Sequence, residues 1–200
     1  MRAILKATSL NCKSGVESQT IPRFMSTRTV IAYWLIPAEP AHSFFQGVIN
    51  DLARRYDAPL FEPHVTVHVA SNRADATESV ISEAARACKL IKLKALEIGH
   101  SSEFIKTLFV QFALNRELRQ LNEIVRNAAG GSSQYELNPH LSLFYKKMPA
   151  AAQRELAHSI KAPFLEITFD TLKAVRCISP TQNRADVEAW RVVAAKSLGA

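Results

Sequence analysis

From Thr29 onward, apolar and polar positions fall into alternating strand-like and helix-like blocks. Val30-Ile31-Ala32-Tyr33-Trp34-Leu35-Ile36 is an unbroken apolar run closed by Pro37, as in a buried strand. Between Glu39 and Tyr56, the residues Phe44, Phe45, Val48, Ile49 and Leu52 recur at helical spacing, and Asp57-Ala58-Pro59 ends that helix. His64 to Ala70 is rich in β-branched residues and reads as a strand. Asp75 to Cys88 reads as a helix burying Val80, Ile81 and Ala84; Leu90 to Gly99 and Thr107 to Leu114 read as strands. Asn115 can cap a helix that runs to Ala129 on the stripe Leu118, Leu121, Ile124 and Val125, and Gly130-Gly131-Ser132-Ser133 ends it. Leu141 to Tyr145 is a strand and Ala150 to Ile160 a short helix; Phe164–Phe169 and Leu172–Ile178 are two further strands. Residues 184–197 are expected to close the chain as a helix containing Trp190. Strands and helices mixed in this way predict an α+β protein.

The pattern also repeats. A strand, a helix and a second strand lead from Val30 to His64, and the same three blocks lead from Thr107 to His140. Each unit ends on Pro-His-apolar-hydroxyl-apolar: Pro63-His64-Val65-Thr66-Val67 and Pro139-His140-Leu141-Ser142-Leu143. Side chains alternate along a strand. His64 and Thr66 therefore share the face opposite Val65 and Val67, as His140 and Ser142 share the face opposite Leu141 and Leu143. His68 falls on the His64 face by the same rule and reads as a rim or structural residue. One such segment is a weak signal, but two at the ends of matching units point to a shared site.

Composition narrows the class. Apolar residues are 48% of the 200 and charged residues 22%, as in a globular chain. No apolar run approaches the ~20 residues that span a bilayer, so no membrane association is expected. Cys12, Cys88 and Cys177 are few, odd in number and far apart, which fits reduced thiols in a reducing compartment. The net charge is +7, with five basic residues and one acid in residues 1–28. That segment is expected to be a disordered extension or a targeting segment, ahead of a single domain over residues 29–200. The location expected is cytoplasmic, with organelle import through residues 1–28 as the alternative. The body is only mildly basic, which permits an anionic ligand without indicating an extended nucleic-acid surface. Two His are too few for a usual zinc site, and His64 and His68 lie about 13 Å apart on a strand, so no metal is expected.

The paired motifs resemble those of the 2H phosphoesterases. Glu62-Pro63-His64-Val65-Thr66-Val67 and Pro139-His140-Leu141-Ser142-Leu143-Phe144-Tyr145 look most like the cyclic phosphodiesterase branch, and Asn183 to Trp190 is similar to it less specifically. The resemblance implies a two-lobed, pseudo-twofold α+β fold, with antiparallel sheets lining a central cleft and helices outside. It implies a metal-independent and cofactor-free hydrolase of a small cyclic phosphodiester. Its candidate substrates are a nucleoside 2′,3′-cyclic phosphate or ADP-ribose 1″,2″-cyclic phosphate. The expected catalytic residues are His64 and His140. Imidazole titrates near pH 6.5, so one ring can act as base and one as acid. Thr66 and Ser142 are expected on the phosphate, where hydroxyl donors stabilise charge. Tyr145 matches a further substrate-contacting aromatic, although strict alternation turns it away from His140 and only a twist or bulge would bring it in. Trp34, Phe61 and Phe144 are candidates to stack on a base or to fill the core. His42, His100 and His158 read as surface residues. The alternatives are an enzyme acting on short RNA ends, like the RNA ligase-like members, and a non-catalytic RNA-binding module. A monomer is expected.

Overall fold

The structure is a computed structural model that describes residues 27–73, 76–131 and 134–199. Nearly all of the expected extension, Cys12, and the boundary residues Asp75, Ser132 and Ser133 lie outside the described residues. The elements are β1 (Arg28–Pro37), α1 (Ala41–Tyr56), β2 (Val65–Ser71), α2 (Thr77–Ala87), β3 (Ile91–His100), β4 (Leu108–Phe112), α3 (Arg116–Ala128), β5 (His140–Phe144), α4 (Ala150–Ser159), β6 (Glu166–Ser179), α5 (Arg184–Glu188) and β7 (Arg191–Ser197). This is the expected α+β architecture.

Every strand pairing is antiparallel, in the order β1-β2-β5-β4-β3-β6-β7. β1 also pairs with β6, so six strands close into a ring. β6 makes this possible by its length. One edge pairs with β1, and the other pairs first with β3 and then with β7. The two strands expected over 164–178 are thus one. The polar Asp170-Thr171 does not break it, because Thr171 pairs with Ile36 on one side and Ser197 on the other.

The expected C-terminal helix is also corrected. Asn183 caps α5 by accepting from the Asp186 amide, but the helix stops at Glu188 and Arg191–Ser197 is a strand. The second half of β6 presents an edge whose amides and carbonyls need partners. Satisfying that edge outweighs the weak helical preference of Val192-Val193-Ala194-Ala195, while Ala194 and Leu198 pack into the core.

The chain runs twice through strand, helix, strand, helix, strand, as β1-α1-β2-α2-β3 and β4-α3-β5-α4-β6. The halves exchange helices: α1 packs against β5 and α3 against β2. Phe45 of α1 and Leu118 of α3 are fully buried in the one large core, each contributing about 1.5–3 kcal/mol. β1 is buried on both faces. Ile31, Tyr33 and Leu35 enter that core, while Val30, Ala32, Trp34 and Ile36 join Val175 and Cys177 in a second cluster. Hence its sequence shows no alternation.

Candidate active site

β2 and β5 touch through one residue pair, Val65 opposite Leu141. Both side chains are fully buried in the core. Continuing the antiparallel register one residue each way sets His64 opposite Ser142 and Thr66 opposite His140. All four side chains lie on the other face and line one cavity of about 280 Å³, joined by Tyr145. The structure thus brings together all five expected site residues.

A matched pair of irregularities shapes this cavity. Tyr33 pairs with His68 and Trp34 with Thr66, leaving Val67 as an extra residue in β2. Leu108 pairs with Phe144 and Phe109 with Ser142, leaving Leu143 as an extra residue in β5. A bulge reverses the alternation beyond it. Val69 and Tyr145 therefore turn into the cavity. His68, expected on the His64 face, instead turns toward α3, with Nδ1 3.5 Å from Asn122 Nδ2. Phe144 fills the core against Tyr56.

The two motif imidazoles are held alike. His64 Nδ1 lies 2.6 Å from the Glu62 carbonyl oxygen, and His140 Nδ1 lies 2.7 Å from that of Asn138. A carbonyl only accepts, so each Nδ1 carries a hydrogen and each neutral ring keeps its lone pair on Nε2. Each ring also meets an aromatic from the adjoining strand. Trp34 stacks on His64 at 3.7 Å and 12°, and Phe109 meets His140 edge-on at 5.8 Å. Gly99 makes room for Phe109, since a Cβ there would lie 2.6 Å from the ring. The Glu62 carboxylate is in turn held by Lys173 at 2.6 Å, with both side chains largely shielded.

Burial lowers the pKa of both rings. His64 falls to about 4, because burial and a positive charge on His140 outweigh the Glu62 carbonyl, which pulls the other way. His140 is lowered mainly by burial. The Asn138 carbonyl opposes this, Lys106 lowers it further and Glu103 raises it. With both values below 6.5, the two rings are neutral at neutral pH. Tyr145 is stacked on Phe61 at 3.9 Å, and burial raises its phenol far above the usual range, so it is a neutral donor. Its hydrogen bond to Ser142 offsets part of that rise. The Ser142 hydroxyl donates to the Ile105 carbonyl at 2.8 Å.

The sequence reading left Trp34 and Phe61 undecided, and placed Trp190 in a helix without a role at the site. Trp190 meets Trp34, His64 and Tyr145 edge-on, and its Nε1 is the buried side-chain nitrogen or oxygen without a hydrogen-bond partner among the described residues. Tyr135 and Ile105 also line the cavity and carried no motif signal. Glu62 had one, within the first motif. His100 and His158 are exposed, whereas half-buried His42 lies 3.6 Å from Glu62. Among the described residues, no three His, Cys, Asp or Glu gather as metal ligands, and no helix is long and apolar enough to cross a membrane.

A repeated antiparallel unit carrying two His–hydroxyl pairs on one cavity defines a 2H phosphoesterase-like protein. Residues 29–198 match the family described as cyclic phosphodiesterase-like protein, and the chain belongs to that family, a family of phosphodiester hydrolases. It is 23% identical over 175 residues to the cyclic phosphodiesterase of Arabidopsis thaliana, covering 86% of this chain and 96% of that one. Escherichia coli LigT, solved in complex with 3′-AMP, superposes with a TM-score of 0.52 at 14% identity over 88% of this chain and all of LigT. The Thermus thermophilus protein TT0787 superposes with a TM-score of 0.53 at 14% identity over 84% of this chain and 97% of its own. These two share the fold.

Proposed function

We propose that this phosphodiesterase opens a small ribose cyclic phosphate by acid–base catalysis between His64 and His140. The substrate is a nucleoside 2′,3′-cyclic phosphate, giving the 2′-phosphate, or ADP-ribose 1″,2″-cyclic phosphate, giving the 1″-phosphate. The observation that carries the reading is the pair of imidazoles held alike through Nδ1, on the walls of one cavity. The Arabidopsis relative named a cyclic phosphodiesterase supports it.

His64, whose pKa burial depresses to about 4, is the base. Its Nε2 takes a proton from water as the water oxygen bonds to phosphorus. His140, protonated when the anionic substrate enters, gives its Nε2 proton to the ribose oxygen as the phosphorus–oxygen bond breaks. Solvent then removes one proton from His64 and returns one to His140. The local twofold relation of β2 and β5 suits this division, one ring serving the entering group and the other the leaving group. Thr66, Ser142 and Tyr145 bind the phosphate oxygens, and the neutral Tyr145 phenol is a ready donor. Ser142 becomes a donor once its proton leaves the Ile105 carbonyl. No step needs a metal ion.

The test is incubation with a 2′,3′-cyclic nucleotide in EDTA, followed by phosphorus NMR. A 2′-monoester should accumulate. His64→Ala and His140→Ala should each lower kcat by about 10²–10⁴-fold. Near wild-type turnover by either variant, or loss in EDTA reversed by zinc or manganese, would overturn the mechanism.

A further inference from the structure

Asn122 is a half-buried polar residue inside the apolar stripe of α3, one turn after Leu118 and next to Leu121. Asparagine is a poor helix former, and shielding its amide costs free energy unless it is hydrogen-bonded. Its Nδ2 donates to the Val67 carbonyl of β2 at 2.7 Å. Val67 is the extra residue of the β2 bulge and has no partner in β1. On its other side, β2 pairs with β5 only at Val65. The preceding carbonyl, that of Thr66, accepts from the Tyr135 hydroxyl at 3.0 Å. Two consecutive carbonyls of the bulge are thus bonded by side chains from the second half. His68 packs against both donors, with Nδ1 3.5 Å from Asn122 Nδ2 and its ring edge-on to Tyr135 at 5.9 Å. The duplication supplies no matching donor in α1. Counted from the N-caps, Asn122 stands seven residues after Asn115, and Gly47 stands seven after Pro40.

We infer that Asn122 and Tyr135 are positioning residues, which hold the bulge of β2 and thereby aim the Thr66 hydroxyl into the cavity. The inference rests on the reading above, in which Thr66 binds a phosphate oxygen. The Thr66 carbonyl belongs to the rigid peptide that follows its Cα, and the Val67 carbonyl to the next one. Thr66 pairs with Trp34 across the sheet. Tying down its carbonyl as well fixes its ψ, and so the direction of its side chain. Loss of either donor leaves a shielded carbonyl unbonded, which is costly, and lets the bulge relax toward plain alternation. Plain alternation would carry His68 toward the cavity and Val69 away from it, and would move Thr66 off the phosphate. Asn122 does not line the cavity, so it acts through β2. Tyr135 lies in the loop that leads from α3 to His140, so its bond also ties the approach to the second motif to the first.

The experiment is steady-state kinetics of the full chain on 2′,3′-cyclic AMP, with urea unfolding beside it. The proteins are wild type, Asn122→Leu, Tyr135→Phe, Thr66→Ala and the two double variants that include Thr66→Ala. Asn122→Leu and Tyr135→Phe should each lower kcat by about 10-fold, with a smaller change in KM. In the Thr66→Ala background the same substitutions should cost about 2-fold or less, because the group they aim is gone. A lower urea midpoint with unchanged kcat overturns the inference, since the pair would then only stabilise the fold. Equal fold-losses with and without the Thr66 hydroxyl overturn it too, since the pair would then act elsewhere. Amide hydrogen exchange without substrate separates this inference from the phosphodiesterase reading. Exchange at Thr66 to Val69 should quicken in both single variants while that of β7 stays as in wild type, and unchanged exchange at Thr66 to Val69 counts against the brace. Failure of wild type to hydrolyse any cyclic nucleotide overturns the phosphodiesterase reading instead, and exchange alone then decides whether the bulge is held. Should Asn122→Leu fail to fold, Tyr135→Phe, which removes a single oxygen, still decides.

Discussion

At the scale of single residues, the site turns on two imidazoles that burial keeps neutral. The mechanism proposed above needs one of them protonated in the free enzyme, yet His64 is lowered to about 4 and His140 is lowered from 6.5. The pH profile of kcat/KM should therefore be a bell with its maximum on the acid side of 6.5, reporting macroscopic values of the coupled pair. A maximum at pH 8 or above would contradict the assignment. The same burial makes a stability prediction. The folded-state pKa of His64 is below its unfolded value, so between pH 6.5 and about 4 the unfolded chain binds more protons and stability falls as pH falls. Over that window wild type should lose more stability than His64→Asn, by on the order of 3 kcal/mol in urea titrations. A parallel loss in both proteins would mean that His64 charges as easily folded as unfolded. His64, Thr66, His140 and Ser142 were legible in the sequence because a period of two assigns faces over such short distances. Trp34 was not, because β1 is apolar on both faces and no pattern separates its core side from its cavity side.

At the scale of elements, the geometry depends on local departures from regular strands. Single extra residues at Val67 and Leu143 bring Val69 and Tyr145 into the cavity and take His68 out of it. Both segments read as plain alternating strands, so nothing in their residue types marked the bulges; only the neighbour's register reveals them. β7 was illegible for a related reason, its conformation being set by the β6 edge rather than by its own residues. The loop before β2 is positioned by another long-range contact. Glu62 lends its carbonyl to His64 and its carboxylate to Lys173 of β6. Lys173→Met should release that carboxylate and let the His64 acceptor drift, lowering kcat by about 10-fold and displacing the pH profile. Lys173→Arg should restore much of the rate. Unchanged kcat and pH profile in Lys173→Met would show that Glu62 holds His64 without the ion pair.

At the scale of the whole molecule, the duplication does not yield two independent halves. The motif strands meet at Val65 and Leu141, each half's first helix packs on the other's motif strand, and β1 closes on β6. One core runs through both, from Phe45 and Val67 of the first half to Leu118 and Phe169 of the second. We propose on this ground that residues 29–200 are one cooperative domain, with the cavity formed only when the halves are assembled. Urea unfolding should then be a single transition. Far-ultraviolet circular dichroism would follow the backbone, while tryptophan fluorescence would follow Trp34 and Trp190, which meet edge-on at 5.1 Å beside His64. The two midpoints should coincide. Leu118→Ala, truncating a fully buried side chain of α3, should move both together to lower urea by about 2–5 kcal/mol of stability. Because α3 belongs to the second half while Trp34 belongs to the first, a tryptophan midpoint that stays fixed while the backbone transition moves would show that the halves unfold separately.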